Sequence, residues 1–199
     1  EAAFARQRWG DRLAGVEGDY PRAKALARVL MEELWPHSGA PSPAMGGRTP
    51  FQQYERMVSG QDHGFCVQFA NIFACACKCF DVPARTLGLC EAPWASHRLF
   101  VTTSANHAIT EIFDREADGW VLIDLRMNML GAFLGEEGPL TAGEFVAFLN
   151  EPRRRERLHL LVYDTDAKTE CLTPLPDCPR PDVTHCYEGW GRVLSYRKV

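Results

Sequence analysis

Between Gly64 and Phe80 the chain has only three polar breaks, Gln68, Asn71 and Lys78, in an otherwise apolar run. Cys66, Phe69, Ala70, Phe73, Cys77 and Phe80 fall on one stripe at helical spacing, and Val67, Ile72, Ala74 and Ala76 make the remaining sides apolar as well. A helix that is apolar on most sides has no face to give to water, so it belongs in the centre of a domain. Asp81-Val82-Pro83 ends it, since the residue before a proline is pushed out of helical conformation. Whatever else the chain forms must be wrapped around this segment.

The flanking patterns predict what does the wrapping. Residues 19–36 read as an amphipathic helix, with Asp19 as its cap, Pro21 in the first turn, and Ala25, Leu26, Val29, Leu30 and Leu34 along one face. A Pro/Gly-rich loop follows from Trp35 to Gly47, and Thr49-Pro50 restarts a short helix through about Val58. After the central helix, Ala84 to Cys90 reads as a strand and 91–106 as an aperiodic loop. His107–Phe113 and Trp120–Met127 read as two strands joined by a hairpin connection. Thr141-Ala142-Gly143-Glu144 is a capping box ahead of Phe145, Val146 and Leu149, with further strands at Leu158–Tyr163 and Val193–Tyr196. Helices early and strands late predict an α+β fold rather than alternating βαβ units. At 199 residues the chain has the size of one domain, with a helical part over 1–59 and a helix and strands over 128–199.

Composition narrows the function classes. A net charge of −4 argues against nucleic-acid binding, and the basic cluster Arg153-Arg154-Arg155 with Arg157 reads as a solvated helix end. No apolar run reaches the roughly 20 residues needed to span a bilayer, which predicts a soluble chain. The sequence opens on Glu1 rather than Met, as expected of a processed or trimmed product, so the missing leader carries no information on compartment. Eight cysteines are present without a Cys-x-x-Cys pair. Cys75 and Cys79 share a helix face while Cys77 lies away from it, so these read as core residues. Cys171, Cys178 and Cys186, with His185, leave a disulfide or a metal site open, though their irregular spacing favours neither. No cofactor is implied, and oligomeric state is not encoded in any pattern.

Cys66 stands at the head of the central helix, His107 comes 41 residues later at a strand start, and Asp124 another 17 residues on. This is the ordered set that a cysteine nucleophile needs. A hairpin symmetric about Glu116 and Ala117 pairs positions that sum to 233, and a tighter one pairs positions that sum to 231. Side chains alternate with period two, so either register places His107 and Asp124 on one face, at about 5 Å or about 7 to 8 Å between Cβ atoms. A helix N-terminus and a neighbouring imidazolium both lower a thiol's pKa from about 8.5. The Cys66 backbone N–H is one candidate oxyanion donor and Gln61 a second. Asp62 reads as an N-cap.

These blocks, Gly64-Phe65-Cys66-Val67-Gln68-Phe69-Ala70, Asp81-Val82-Pro83-Ala84-Arg85-Thr86-Leu87-Gly88, Asn106-His107-Ala108-Ile109-Thr110-Glu111-Ile112 and Gly119-Trp120-Val121-Leu122-Ile123-Asp124, resemble the transglutaminase-like superfamily of thiol enzymes with a papain-type core. The likeness covers roughly residues 60 to 127. It implies a central helix carrying the nucleophile Cys66, packed on an antiparallel sheet carrying His107 as acid/base and Asp124 as its orienting partner. It also implies a thioester acyl-enzyme formed from a peptide or protein amide substrate and resolved by water or an amine. Val67 stands where many transglutaminases have Trp, and Leu125-Arg126 replaces the common Pro-Thr, which leaves substrate and acceptor open. The resemblance marks Arg85 and Gly88 as recurrent, and both read as structural.

Three functional classes are thereby expected in order. A cysteine protease, amidase or acyltransferase comes first, and a non-catalytic peptide-binding module that keeps the fold comes second. A metal-binding protein using the late cysteines and His185 comes third.

Overall fold

The computed structural model describes residues 1–90, 105–178 and 193–196. The predicted loop over 91–106 lies mostly outside these residues, as do Cys186 and His185. Four helices come first: α1 (Ala2–Leu13), α2 (Asp19–Leu34), α3 (Pro50–Val58) and α4 (Cys66–Cys79). Strands β1 (Ala84–Cys90), β2 (Ala105–Asp114), β3 (Gly119–Ile123) and β4 (Met129–Leu134) follow. Then come α5 (Ala142–Leu149), the single turn α6 (Pro152–Arg155), β5 (Leu158–Asp164), β6 (Thr169–Pro174) and β7 (Val193–Tyr196). The fold is α+β, with one antiparallel sheet in the order β3-β2-β1-β7 and a second in the order β4-β5-β6.

Helix α4 is the centre of the molecule, as its apolarity requires. Phe69, Ala70, Ile72, Phe73, Ala74, Ala76 and Cys77 are buried, packed with residues of α1, α2 and α3 and with Ala84, Ile112, Val121 and Ile123 from one face of the first sheet. Thr110 on that same face donates its hydroxyl to the Ala70 carbonyl at 3.1 Å, tying β2 to α4. The opposite face presents Leu87, Leu89, Ile109 and Leu122 to a second cluster that includes Ala132 and Leu134 of β4, Leu158 and Leu160 of β5, and Phe145 and Leu149 of α5. The strand alternation thus divides the sheet cleanly between two cores.

On the second face a buried ionic group joins three elements. Glu111 of β2 accepts Arg85 Nε at 2.8 Å and Nη2 at 2.6 Å through Oε2, and the Ala142 backbone N–H at 2.7 Å through Oε1. Ala142 is the first residue of α5, so the carboxylate also meets the positive end of that helix. The Arg85 guanidinium lies 3.8 Å from the centre of the Trp120 ring. This is the structural role expected of Arg85.

Local signals were mostly right where a cap declares itself. Thr49 with Gln52 and Thr141 with Glu144 form the two capping boxes that start α3 and α5. Asp19 is a correction. It lies inside the first turn of α2, and its carboxylate takes Arg115 Nε and Nη2 at 2.7 Å each and the Arg115 backbone N–H at 3.0 Å, rather than capping. A guanidinium with two matching donors outcompetes a single backbone amide. Helix α1 and strands β4 and β6 had no predicted counterpart.

Replacing Glu111 with Ala leaves the Arg85 charge and the α5 N-terminus without their partner. Arg85 is partly exposed, so screening reduces the loss, and destabilisation of about 2 to 3 kcal/mol is expected from chemical denaturation. Arg85→Ala is expected to cost less than Glu111→Ala, because it removes only one of the two groups that the carboxylate serves.

Candidate active site

Strands β2 and β3 pair Thr110 with Ile123, Glu111 with Leu122, Ile112 with Val121, Phe113 with Trp120 and Asp114 with Gly119. Each pair sums to 233, the register of the symmetric hairpin. His107 and Asp124 therefore share a face by parity, and His107 Nε2 lies 2.7 Å from Asp124 Oδ2 with both residues buried. β3 has ended at Ile123, so Asp124 reaches His107 diagonally from the corner just beyond the ladder.

Asp124 is held from several sides. Its Oδ1 accepts the backbone N–H groups of Arg126 at 3.0 Å and Met127 at 3.3 Å, capping a short 3-10 turn over Leu125–Met127. Its own N–H and carbonyl exchange bonds with Met129 at 2.8 and 2.9 Å, across Asn128 in left-handed conformation. The second oxygen is the one left for His107. Arg126 itself stacks on the Trp35 ring, 4.8 Å from its centre.

Cys66 is the first residue of α4 and is half-buried. The His107 ring and the Ala108 backbone N–H both favour the ionised form of its thiol. His107 lies on the sheet face turned away from the α4 core, so the two side chains meet at the end of the strand rather than across its middle. A register shift between Leu89 and Cys90, opposite His107 and Ala105, falls at this point. Irregularities of this kind re-aim side chains beside functional sites.

Electrostatics follow from these contacts. Burial opposes ionisation of Cys66, but the hydrogen bond and charge of His107 and the Ala108 N–H outweigh it and hold the thiol below its ordinary value. Burial likewise opposes protonation of His107, and Asp124 with Cys66 overcomes it, pushing the imidazole up to about 10. The two shifts act in the same sense, the thiol moved down and the imidazole up, so each group favours the charged form of the other.

What precedes Cys66 fixes its position. A Cβ on Gly64 would stand 2.7 Å from Met57 Sδ and 2.9 Å from Gln68 Cβ, so only glycine fits against α3 here. Gly64 also donates to the His37 carbonyl and accepts from the Gly39 N–H. Asp62 is a second correction: it is not an N-cap. Its carboxylate takes Ser42 N at 2.8 Å, Ser42 Oγ at 2.6 Å, His63 N at 3.0 Å and Arg56 Nη2 at 3.3 Å. These bonds hold its carboxyl well below the usual range and tie the 37–43 loop to the segment that enters α4. In place of a capping Asp, Gln68 Oε1 reaches back to the Phe65 N–H at 3.0 Å. The N–H groups of Cys66 and Val67 meet no acceptor among the described residues.

Gln61 is exposed, and its carboxamide oxygen accepts Arg56 Nη1 at 3.3 Å. It makes no hydrogen bond to Cys66, His107 or Asp124 among the described residues. Cys171 is exposed with Sγ 3.2 Å from Thr173 Oγ1, and Cys178 is half-buried. No group of three or more His, Cys, Asp or Glu side chains is placed to hold a metal among the described residues. The Ala108 N–H and the Ser42 contact to Asp62 have no sequence signature. Gly64 had one, standing two residues before the cysteine.

A family model for the transglutaminase-like superfamily matches residues 7–125. The chain belongs to the transglutaminase-like superfamily. Members of this superfamily are typically cysteine-dependent enzymes. The match starts at residue 7, so it takes in the second part of α1 and all of α2 and α3 as well as the four blocks quoted from 60 onward. No curated protein and no solved structure matches the chain. No helix among the described residues is long and apolar enough to cross a membrane.

The pair sets the pH dependence of alkylation. Iodoacetamide labelling of Cys66 should rise as pH climbs through its depressed value, while Cys75, pushed up to about 12 by burial and Glu1, and Cys79, raised mainly by burial, stay unlabelled. In His107→Ala the cation is gone and the burial cost remains, so the Cys66 inflection moves to higher pH. Mass-spectrometric mapping across pH 5 to about 9 reads both effects.

Proposed function

We propose that this protein is a cysteine-dependent acyl-transfer enzyme acting on peptide or protein amides through a Cys66–His107–Asp124 triad. The observation that carries the proposal is an imidazole 2.7 Å from a buried, backbone-fixed carboxylate, beside a helix-start thiol whose ionised form that imidazole favours. Such a chain of contacts needs no substrate to assemble and has the order that activates a sulfur nucleophile.

In this mechanism the Cys66 thiolate attacks the carbonyl carbon and the oxyanion forms against the free N–H groups of Cys66 and Val67. The Gln61 amide is a further donor candidate, since only its oxygen is engaged. His107 gives its proton to the leaving nitrogen, the C–N bond breaks, and a thioester with Cys66 remains. Water or an amine then attacks the thioester, His107 takes its proton, and the thiolate leaves. Asp124 keeps the ring oriented and stabilises its charge throughout. The helical part and the later strands serve this site as one domain in this reading, supported by Tyr163 of β5 sharing its core with α1 and α2.

The test is p-nitrophenyl acetate as a generic acyl donor. A burst of nitrophenol, with an acetyl group on Cys66 by mass spectrometry and faster turnover with hydroxylamine, is expected. Cys66→Ala should give no burst, and Asp124→Asn should lower the acylation rate by about 10² to 10⁴-fold. Acylation that persists in Cys66→Ala, or none in the native chain, would sink the proposal.

A further inference from the structure

Three large hydrophobic side chains are exposed among the described residues, and two of them flank Cys66: Phe65 at 45% and Val67 at 39%, with Leu172 on β6 the third. Every other large apolar side chain of α4 from Phe69 to Phe73 is buried. Packing therefore does not account for Phe65 or Val67, and a surface helix start is where polar residues cost nothing. Phe65 is the extended residue that leads into α4 and Val67 the second residue of the helix, so the two stand immediately before and after Cys66 at its start. From His63 to Val67 the chain carries no carboxylate and no ammonium or guanidinium group, so nothing in that stretch selects a charged ligand. Their location separates these two residues from a stray apolar patch, because both adjoin the residue whose sulfur an acyl donor must reach.

We propose that Phe65 and Val67 form the apolar shoulders that receive a bulky aliphatic or aromatic side chain of the acyl donor, beside the carbonyl that Cys66 attacks. The inference rests on the acyl-transfer reading above and adds a substrate class to it: peptides with an apolar residue adjoining the reacting carbonyl. Contact with such a side chain removes from water apolar surface that the free protein leaves wet.

The experiment uses the full chain and two near-isosteric affinity labels, N-acetyl-leucyl and N-acetyl-asparaginyl acyloxymethyl ketones. The thiolate attacks the methylene carbon, a C–S bond forms, the C–O bond breaks, and the carboxylate leaves with the electron pair. Iodoacetamide at the same pH reports the state of the thiol independently. The leucyl reagent should inactivate Cys66 about tenfold faster than the asparaginyl one. In the double variant F65S/V67S, with folding checked by circular dichroism, that ratio should fall to within about twofold, and Phe65→Leu should largely retain it. Equal rates for the two labels in the native chain, with iodoacetamide still selective for Cys66, overturn this inference alone. A ratio unchanged in the double variant also overturns it, since selectivity then comes from elsewhere. Absence of selective iodoacetamide labelling removes the acyl-transfer reading itself.

Discussion

The Asp124 carboxylate is the point on which both the architecture and the site depend. One oxygen closes the turn through Arg126 and Met127, and the other holds His107. The same residue is the corner where the chain leaves the first sheet at Ile123 and enters the second at Met129. A buried carboxylate is tolerable only when its lone pairs are filled, and here the fold and the chemistry share the filling. The usual reading of an Asp beside a turn, that it is a cap, is correct for Asp124. It is also incomplete, because a carboxylate has two oxygens and the cap uses one.

The sequence made this legible for a specific reason. Side-chain parity in a hairpin survives any even error in register, so His107 and Asp124 could be placed together before the loop geometry was known. The helices with a capping box or a long apolar stripe were equally readable, because their signals are local. Asp62 and Asp19 were misassigned as caps because a cap is the nearest role for a short acidic side chain. Their true partners, Ser42, Arg56 and Arg115, come from packing that brings together segments as much as 96 residues apart. The Ala108 N–H contact was beyond reach for a related reason. Every residue has an N–H, so nothing in the residue type marks the one that points at sulfur.

Positioning of Cys66 is a matter of backbone rather than of side chains. Gly64 lets the chain pass against Met57, the Gly64–His37 and Gly39–Gly64 bonds fix its path, and Asp62 anchors the loop that supplies them. On the other side Thr110 ties β2 to α4 three residues from His107. Cys66 and His107 thus belong to two elements joined directly beneath them. That matters because an ion pair half removed from water gains from its contact only while the geometry is kept.

Helix α4 also contains its own control experiment, because four of its residues are cysteines in nearly the same apolar setting. Burial raises all four thiols, and for Cys75, Cys77 and Cys79 nothing reverses it. Those three lie in the second half of the helix, where the macrodipole adds negative rather than positive potential. Cys66 also bears a burial cost, at the opposite end, and there the His107 ring and a strand N–H outweigh it. The contrast between Cys66 and its three neighbours along the helix is therefore one of surroundings, since the side chains are identical. An apolar helix opposes ionisation of a thiol along nearly all its length, and its first residue is where the opposing burial is outweighed.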